Sequence, residues 1–456
     1  METLYQESPY SASQDLKVTL QDSILVFRSQ ETDKKSIFLS NVDQPFNFNI
    51  ETVHFFNPKM DFPPQVVVNR LKIVLEKVLV TYDFLAGRLK LNSQSGRLEI
   101  DCNAAGAVFV VASSEFALDE IGDLDYPNPA FRQLIIQSLE NLGPNDQPLS
   151  IFQVTSFKCG GFAISISTNH VLFDGMSFKI FLQNLASLAF DDKPLAIVPF
   201  KDRCLIASRS PPHVAFTHPE LYKLELPIDG VYSCPPLFES TQEDLDFKIF
   251  RLSSNDISYL KNKANANGTR PSTRITGFNV VTAHVWRCKP LSRDVEKNKE
   301  RVSTLLYTVN IRSRLKPPLP LSYCGNAVIS AYASAKCGEL EEKPFFELVD
   351  MVSEGAARLT DEYVRSFIDW HEIYKGFVNG EFLISSWWIL GFAKVEYPWD
   401  KPRYSCPLVQ PKKDIILFLP NIDGVNNDGV NILVALPAKE MEKFQFVFHK
   451  FMERSP

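Results

Sequence analysis

Ser167-Thr168-Asn169-His170-Val171-Leu172-Phe173-Asp174-Gly175-Met176-Ser177-Phe178 joins a β-rich run to an amphipathic one. Upstream, Phe162, Ile164 and Ile166 point to one side of a strand that runs to Thr168, and the small residues Ala163, Ser165 and Ser167 point to the other, where something could approach closely. A second β-rich run, Leu149 to Phe157, precedes it across Gly160-Gly161, which predicts two antiparallel neighbours. Downstream, Phe178, Phe181, Leu182, Leu185, Leu188 and Ala189 recur at steps of three and four, a helix for which Ser177 is the expected N-cap. His170 is thus expected where a strand ends and a helix begins. A neutral imidazole with an ordinary pKa of about 6.5 suits a general base near neutral pH. Asp174, four residues on, could orient it, with Gly175 permitting a tight turn that brings the carboxylate back. By spacing alone, such a pair is more often a surface ion pair than a catalytic one.

Working outward, the 456-residue chain exceeds the roughly 250–300 residues at which a single core stops growing, so two domains are expected. Apolar residues make up 45% and charged ones 22%, as in a globular protein with a sizeable core. A formal charge of -6 without a basic stripe argues against nucleic acid as a partner. The eight cysteines form no CxxC pair and read as reduced thiols of a cytoplasmic protein. The acidic, polar start lacks signal-peptide features, and no apolar run approaches the roughly 20 residues of a membrane span. Neither an HExxH zinc motif, a GxSxG elbow nor a Gly-rich phosphate loop is present, so no metal is expected.

Residues 45–60 read as a strand, and Pro63-Pro64 as the start of a helix whose apolar face is Val67, Leu71, Val74, Leu75, Val78 and Leu79. Proline-rich residues 201–239 lack periodicity and form the expected crossover between an N-terminal domain, 1–200, and a C-terminal domain, 240–456. Beyond it, strands are expected over Phe247 to Leu252, Ser303 to Asn310, Ile415 to Leu419 and Val430 to Leu436. Helices are expected over Ser254 to Ala266 and Thr276 to Cys288, and near the C-terminus with Met441, Phe444, Phe448 and Phe451 on one face. Both halves hold a strand–turn–strand–helix order, a hint of two similar domains. Of the other histidines, His284 is expected in a core, His213 and His218 in the crossover, and His54 could face the active site.

The run His170 to Gly175 resembles the HxxxDG signature of the BAHD acyltransferases, plant enzymes that move acyl groups from coenzyme A to alcohols or amines. The likeness extends along nearly the whole chain. It includes Tyr82 to Leu89, Cys102-Asn103 with Gly106-Ala107, Ala283 to Cys288, Asn310 to Arg314, and Tyr323 to Asn326. Phe157 to Phe162 and Glu396 to Trp399 are most similar to the subgroup of GLAUCE-like and omega-hydroxyacid feruloyltransferase-like members. The family's DFGWG element is replaced by Glu396-Tyr397-Pro398-Trp399-Asp400, with Pro398 and Asp400 where glycines are usual.

The resemblance implies an α/β fold of two similar chloramphenicol-acetyltransferase-like domains, each a mixed sheet flanked by helices, with a channel between them. His170 would take a proton from an acceptor hydroxyl, and Ser385, two residues before Trp387, would donate to the oxyanion. Arg312 would pair with Asp174 and turn it away from the catalytic space. Ser272 and Thr273 fall where relatives contact the coenzyme's phosphates; Trp387 would pack or line the acceptor pocket. Gly175, Glu396, Tyr397 and Trp399 would be structural. The expected co-substrates are acyl-CoA and a small hydroxylated acceptor, a specialised metabolite, lipid or steroid-like alcohol, and the protein is expected to be a monomer with no permanently bound cofactor. An amine acceptor, or a catalytically silent binding protein, are the alternatives.

Overall fold

A computed structural model describes the chain apart from residues 1–4, 7–14, 125–127, 140–141, 144–145, 192, 225–242, 266–274, 294–298, 409–411, 423–428 and 454–456. It is an α/β structure built on two mixed sheets. The first has six strands in the order Tyr404–Pro407, Asn49–Phe56, Phe162–Asn169, Ser150–Ser156, Ala107–Ser114, Val18–Val26. All neighbours are antiparallel except Ser150–Ser156 and Ala107–Ser114.

The hairpin across Gly160-Gly161 forms as its turn residues require, Gly160 adopting φ +86°. Phe162, Ile164 and Ile166 lie in one core under helices Pro64–Thr81 and Gly175–Ala189. The first helix starts on Pro63-Pro64 and buries Val67, Leu71, Val74, Leu75, Val78 and Leu79, the predicted face. On the other side of the sheet, Ala163 lies in a second core together with Phe55 and with Phe131 of the segment Pro129–Leu134.

The second sheet has seven strands: Tyr5–Gln6, Asp246–Leu252, Val430–Leu436, Ile415–Pro420, Phe382–Ser386, Val302–Asn310, Val328–Lys336. Alternation along them separates two faces. Phe250, Ile416, Phe418, Ile432, Val434, Phe382 and Ile384 are buried with helices Ser254–Asn265, Gly277–Leu291, Phe345–Ala357 and Ala438–Met452. The opposite face looks toward the first half of the molecule.

The sheets do not divide the chain at one point. Strand Tyr404–Pro407, expected with the C-terminal domain, forms the edge of the first sheet against Asn49–Phe56. Phe392, Val395, Tyr397 and Trp399 belong to the first sheet's core as well. Among the described residues, no helix is long and apolar enough to cross a membrane.

Candidate active site

Between the halves runs a cavity of about 2680 Å³, lined by Phe46, Phe48, His170, Ser385 and Trp387 among others. Its size exceeds the roughly 300–1,000 Å³ of an ordinary single-ligand pocket. His170 follows directly on strand Phe162–Asn169, and its backbone N–H donates to Phe48 O at 2.8 Å. Its ring stacks on Phe46 at 4.6 Å between centroids and meets Phe48 edge-on at 5.4 Å. Nδ1 is buried without a partner other than the residue's own backbone, so the half-buried ring is open to the cavity through Nε2. Burial lowers its pKa from the usual 6.5; its own backbone, Asp174 and Asn326 oppose that shift. The imidazole is therefore neutral at neutral pH, the form that can accept a proton.

Asp174 does not hold that ring, which is one of the two roles its spacing and the family resemblance allow. Both its oxygens are taken up elsewhere. Arg312 donates to Oδ2 at 2.7 Å and to Oδ1 at 3.0 Å, Ala327 N–H to Oδ2 at 2.9 Å, and Ser177 N–H and Oγ–H to Oδ1 at 2.8 and 2.9 Å. Burial works against the carboxylate's charge, but Arg312 and these donors outweigh it and lower its pKa. The N-cap of helix Gly175–Ala189 is therefore Asp174 and not Ser177, which sits at the third position and closes a capping box. An acidic side chain accepts the helix's free N–H groups more strongly than the hydroxyl, which leaves serine the reciprocal role. Arg314 lines the cavity and leaves the ion pair to Arg312.

Gly175 also differs from its expected role. It begins the helix without a positive φ, and a Cβ there would lie 2.6 Å from Leu390 Cδ1. The requirement is space for the segment after Ser385, not turn freedom.

Three residues without an assigned role in the sequence reading complete the loop. Arg203, wholly buried, donates to Val171 O at 2.6 Å and Leu172 O at 3.0 Å while pairing with Asp43 at 3.1 Å. Asn326 donates to His170 O at 2.8 Å and, through its side chain and backbone, to Asp43 Oδ1 at 3.0 Å. The backbone on either side of the histidine is thereby fixed by Asp43, Arg203 and Asn326. A buried ion pair spread over three distant segments leaves no local spacing signal, though Asn326 stands in the quoted Tyr323 to Asn326 run.

Ser385 lies on strand Phe382–Ser386 and lines the cavity with its neighbour Ser386, whose Oγ is buried and unpartnered. Trp387 lines it too, edge-on to Phe392 at 5.6 Å. Ser272 and Thr273 lie outside the described residues. His54 does not face the cavity. It is buried with Nδ1 2.9 Å from Ser405 Oγ, and burial lowers its pKa to about 3.

The substituted loop keeps its packing. Trp399 is wholly buried, stacked on Tyr397 at 5.2 Å and edge-on to Phe56 and Phe162. Tyr397 and Asp400 exchange backbone hydrogen bonds at 3.2 and 3.0 Å, and Asp400 adopts φ +111°, in the region that favours glycine. Glu396 is exposed, 3.7 Å from Lys401.

Residues 16–450 match the model of the Transferase family. The chain is 56% identical to Acyltransferase GLAUCE of Arabidopsis thaliana over 98% of its own length and 99% of that protein's. It is 32% identical to the Arabidopsis thaliana omega-hydroxypalmitate O-feruloyl transferase over 95% of this chain and 93% of that one. In fold it is similar to the crystal structure of vinorine synthase, with a TM-score of 0.72 at 21% identity, covering 94% and 96% of the two chains. With its HxxxDG loop at the seam of two sheets, the chain belongs to the BAHD transferase family of acyl-CoA-dependent acyltransferases.

Proposed function

We propose that this protein transfers an acyl group from an acyl-CoA thioester to the hydroxyl of a lipid-like alcohol, with His170 as general base. The observation that carries the reading is the neutral, half-buried imidazole, open through Nε2 to a cavity large enough for both co-substrates. Nε2 takes the hydroxyl proton as the oxygen attacks the thioester carbonyl carbon. Ser385 donates to the oxyanion that forms. When that intermediate collapses, the carbon–sulfur bond breaks, and the leaving thiolate takes the proton from the imidazolium, giving free coenzyme A and an ester.

Asp174 and Arg312 act as positioning residues, holding the loop that carries His170. Trp387 lines the acceptor side, Ser272 and Thr273 serve the coenzyme's phosphates, and Tyr397 and Trp399 support the first sheet's core. A lipid-like acceptor is favoured by the relative named for omega-hydroxypalmitate feruloylation and by the apolar character of the cavity wall on the second sheet.

The test incubates the purified protein with acetyl-, feruloyl- or palmitoyl-CoA and with omega-hydroxypalmitate, hexadecanol or putrescine, following free thiol and identifying products by mass spectrometry. Ester formation above a His170→Ala control is expected. An amide alone would replace the alcohol with an amine acceptor, and no thiol above the control would leave a silent binding protein.

A further inference from the structure

The second sheet turns an uncharged stripe toward the cavity, and the stripe begins at Ser385. Pairing aligns Ser385 with Leu417, Leu417 with Leu433, and Leu433 with Ile249 across successive strands. Beside that row, Leu383 is paired with Ile415, and Ala435 with Phe247. Leu383, Ile415, Leu417, Leu433 and Ala435 all line the cavity. Their alternate neighbours Ile384, Ile416, Phe418, Ile432 and Val434 face the helices instead, so the strand alternation commits this face to the cavity. Leu408, just beyond the edge strand of the first sheet, lines the same cavity.

We propose that this stripe is a binding lane for an unbranched alkyl chain, running from the reacting carbonyl at Ser385 across the strands toward Ile249. Two strand spacings of about 4.8 Å give a lane of about 10 Å between Ser385 and Leu433. That length and the lack of charged side chains in the stripe fit methylene groups and fit a charged substituent poorly. Ala435 is the smallest residue of the stripe and sits between Ile415 and the Phe247 edge, so it sets the lane's width. Leu433, paired onward to Ile249, closes its far end. The proposal rests on the acyltransferase reading and adds to it the part of the substrate that the second sheet selects. The chain could belong to the acyl donor or to the alcohol, since both react at the same carbonyl.

Two measurements separate the lane from the reaction. In the first, hexanol, decanol and hexadecanol compete with cis-parinaric acid for the purified protein. Affinity is expected to rise about threefold to fourfold per methylene while the lane fills, and Ala435→Phe to flatten that rise. In the second, hexanoyl-, decanoyl- and palmitoyl-CoA are each paired with a short alcohol, and the three alcohols are each paired with acetyl-CoA. Ala435→Phe should lower the long-to-short kcat/KM ratio about tenfold in one series, which identifies the co-substrate that carries the chain. Leu433→Ala should raise that ratio, and it serves as the second variant should Ala435→Phe fail to fold. An unchanged chain-length profile in both variants, with ester still formed, overturns the lane and leaves the acyl transfer standing. Coenzyme A without an acyl group displacing parinaric acid as fully as the alcohols do would also overturn it, because the stripe would then hold the coenzyme's own arm. Chain-dependent binding without any ester would keep the lane and overturn the acyl transfer.

Discussion

The His170 loop, at the seam between the sheets, and the 396–400 loop, in the first sheet's core, are both pinned, but by different forces. Around His170 the fixing is polar and directional: Asp174, Arg312, Ser177, Ala327, Asp43, Arg203 and Asn326 meet in hydrogen bonds and ion pairs. Around Trp399 it is mainly aromatic, a stacked pair set in the first sheet's core, with hydrogen bonds between the backbones of Tyr397 and Asp400 and from Lys59 to Pro398 O. The second kind tolerates substitution. Pro398 and Asp400 stand where the family pattern has glycine, and the aromatic rings keep the loop closed at the cost of one strained backbone angle. The first kind tolerates little, because removing one member leaves a buried charge without its counterpart.

The comparison can be broken most forcefully at the base itself. His170→Ala should lower turnover by about a thousandfold, within the range for a lost general base, while circular dichroism and the melting temperature stay near those of the parent. A fall in melting temperature instead would make the residue structural. Arg312→Ala should cost about 3–5 kcal/mol of folding stability by denaturant titration, since Asp174 would remain buried and charged. It would reduce turnover through the misplaced loop, and a variant of wild-type stability would show that the ion pair is not what fixes it.

The pH profile sharpens the same contrast. Burial lowers the pKa of His170, so the imidazole stays neutral down through pH 6.5, and kcat/KM should be flat across neutrality. The fall, about tenfold per pH unit as the ring takes up a proton, is expected only below 6.5. An acid limb above 6.5 would mean that Asp174 governs the ring after all. The smallest effect is expected in the aromatic loop. Asp400→Gly should stabilise the protein by about 1 kcal/mol by relieving the positive φ, seen as a small rise in melting temperature with unchanged kcat.

Much of the fold was legible because it is periodic. The strand pair around Gly160-Gly161, the helices starting at Pro64 and after Thr276, and the strands Ile415–Pro420 and Val430–Leu436 all obey local alternation or helical spacing. The family resemblance supplied Arg312 as the partner of Asp174, which no spacing rule would pick from forty-odd basic residues. What stayed hidden is long-range. The role of Asn326 depends on a bond to Asp43 across 283 positions, and Asp43 depends on Arg203. His54 reads as a candidate for the site from its place near a strand, yet its partner is Ser405, 351 positions away. Ser177 and Asp174 compete for one capping position, and composition alone does not rank them when both are good caps.

Strand Tyr404–Pro407 has a wider consequence. It buttons a segment that follows the second sheet's Phe382–Ser386 onto the free edge of the first sheet, with His54 as the fastening on the inner side. Swinging the two halves apart like a clamshell would pull on that pairing through the segments that flank the strand. The two halves are thereby tethered at the sheet edge as well as through the chain between them, and side chains at the rim of the cavity are the place to look for what limits the passage of small molecules.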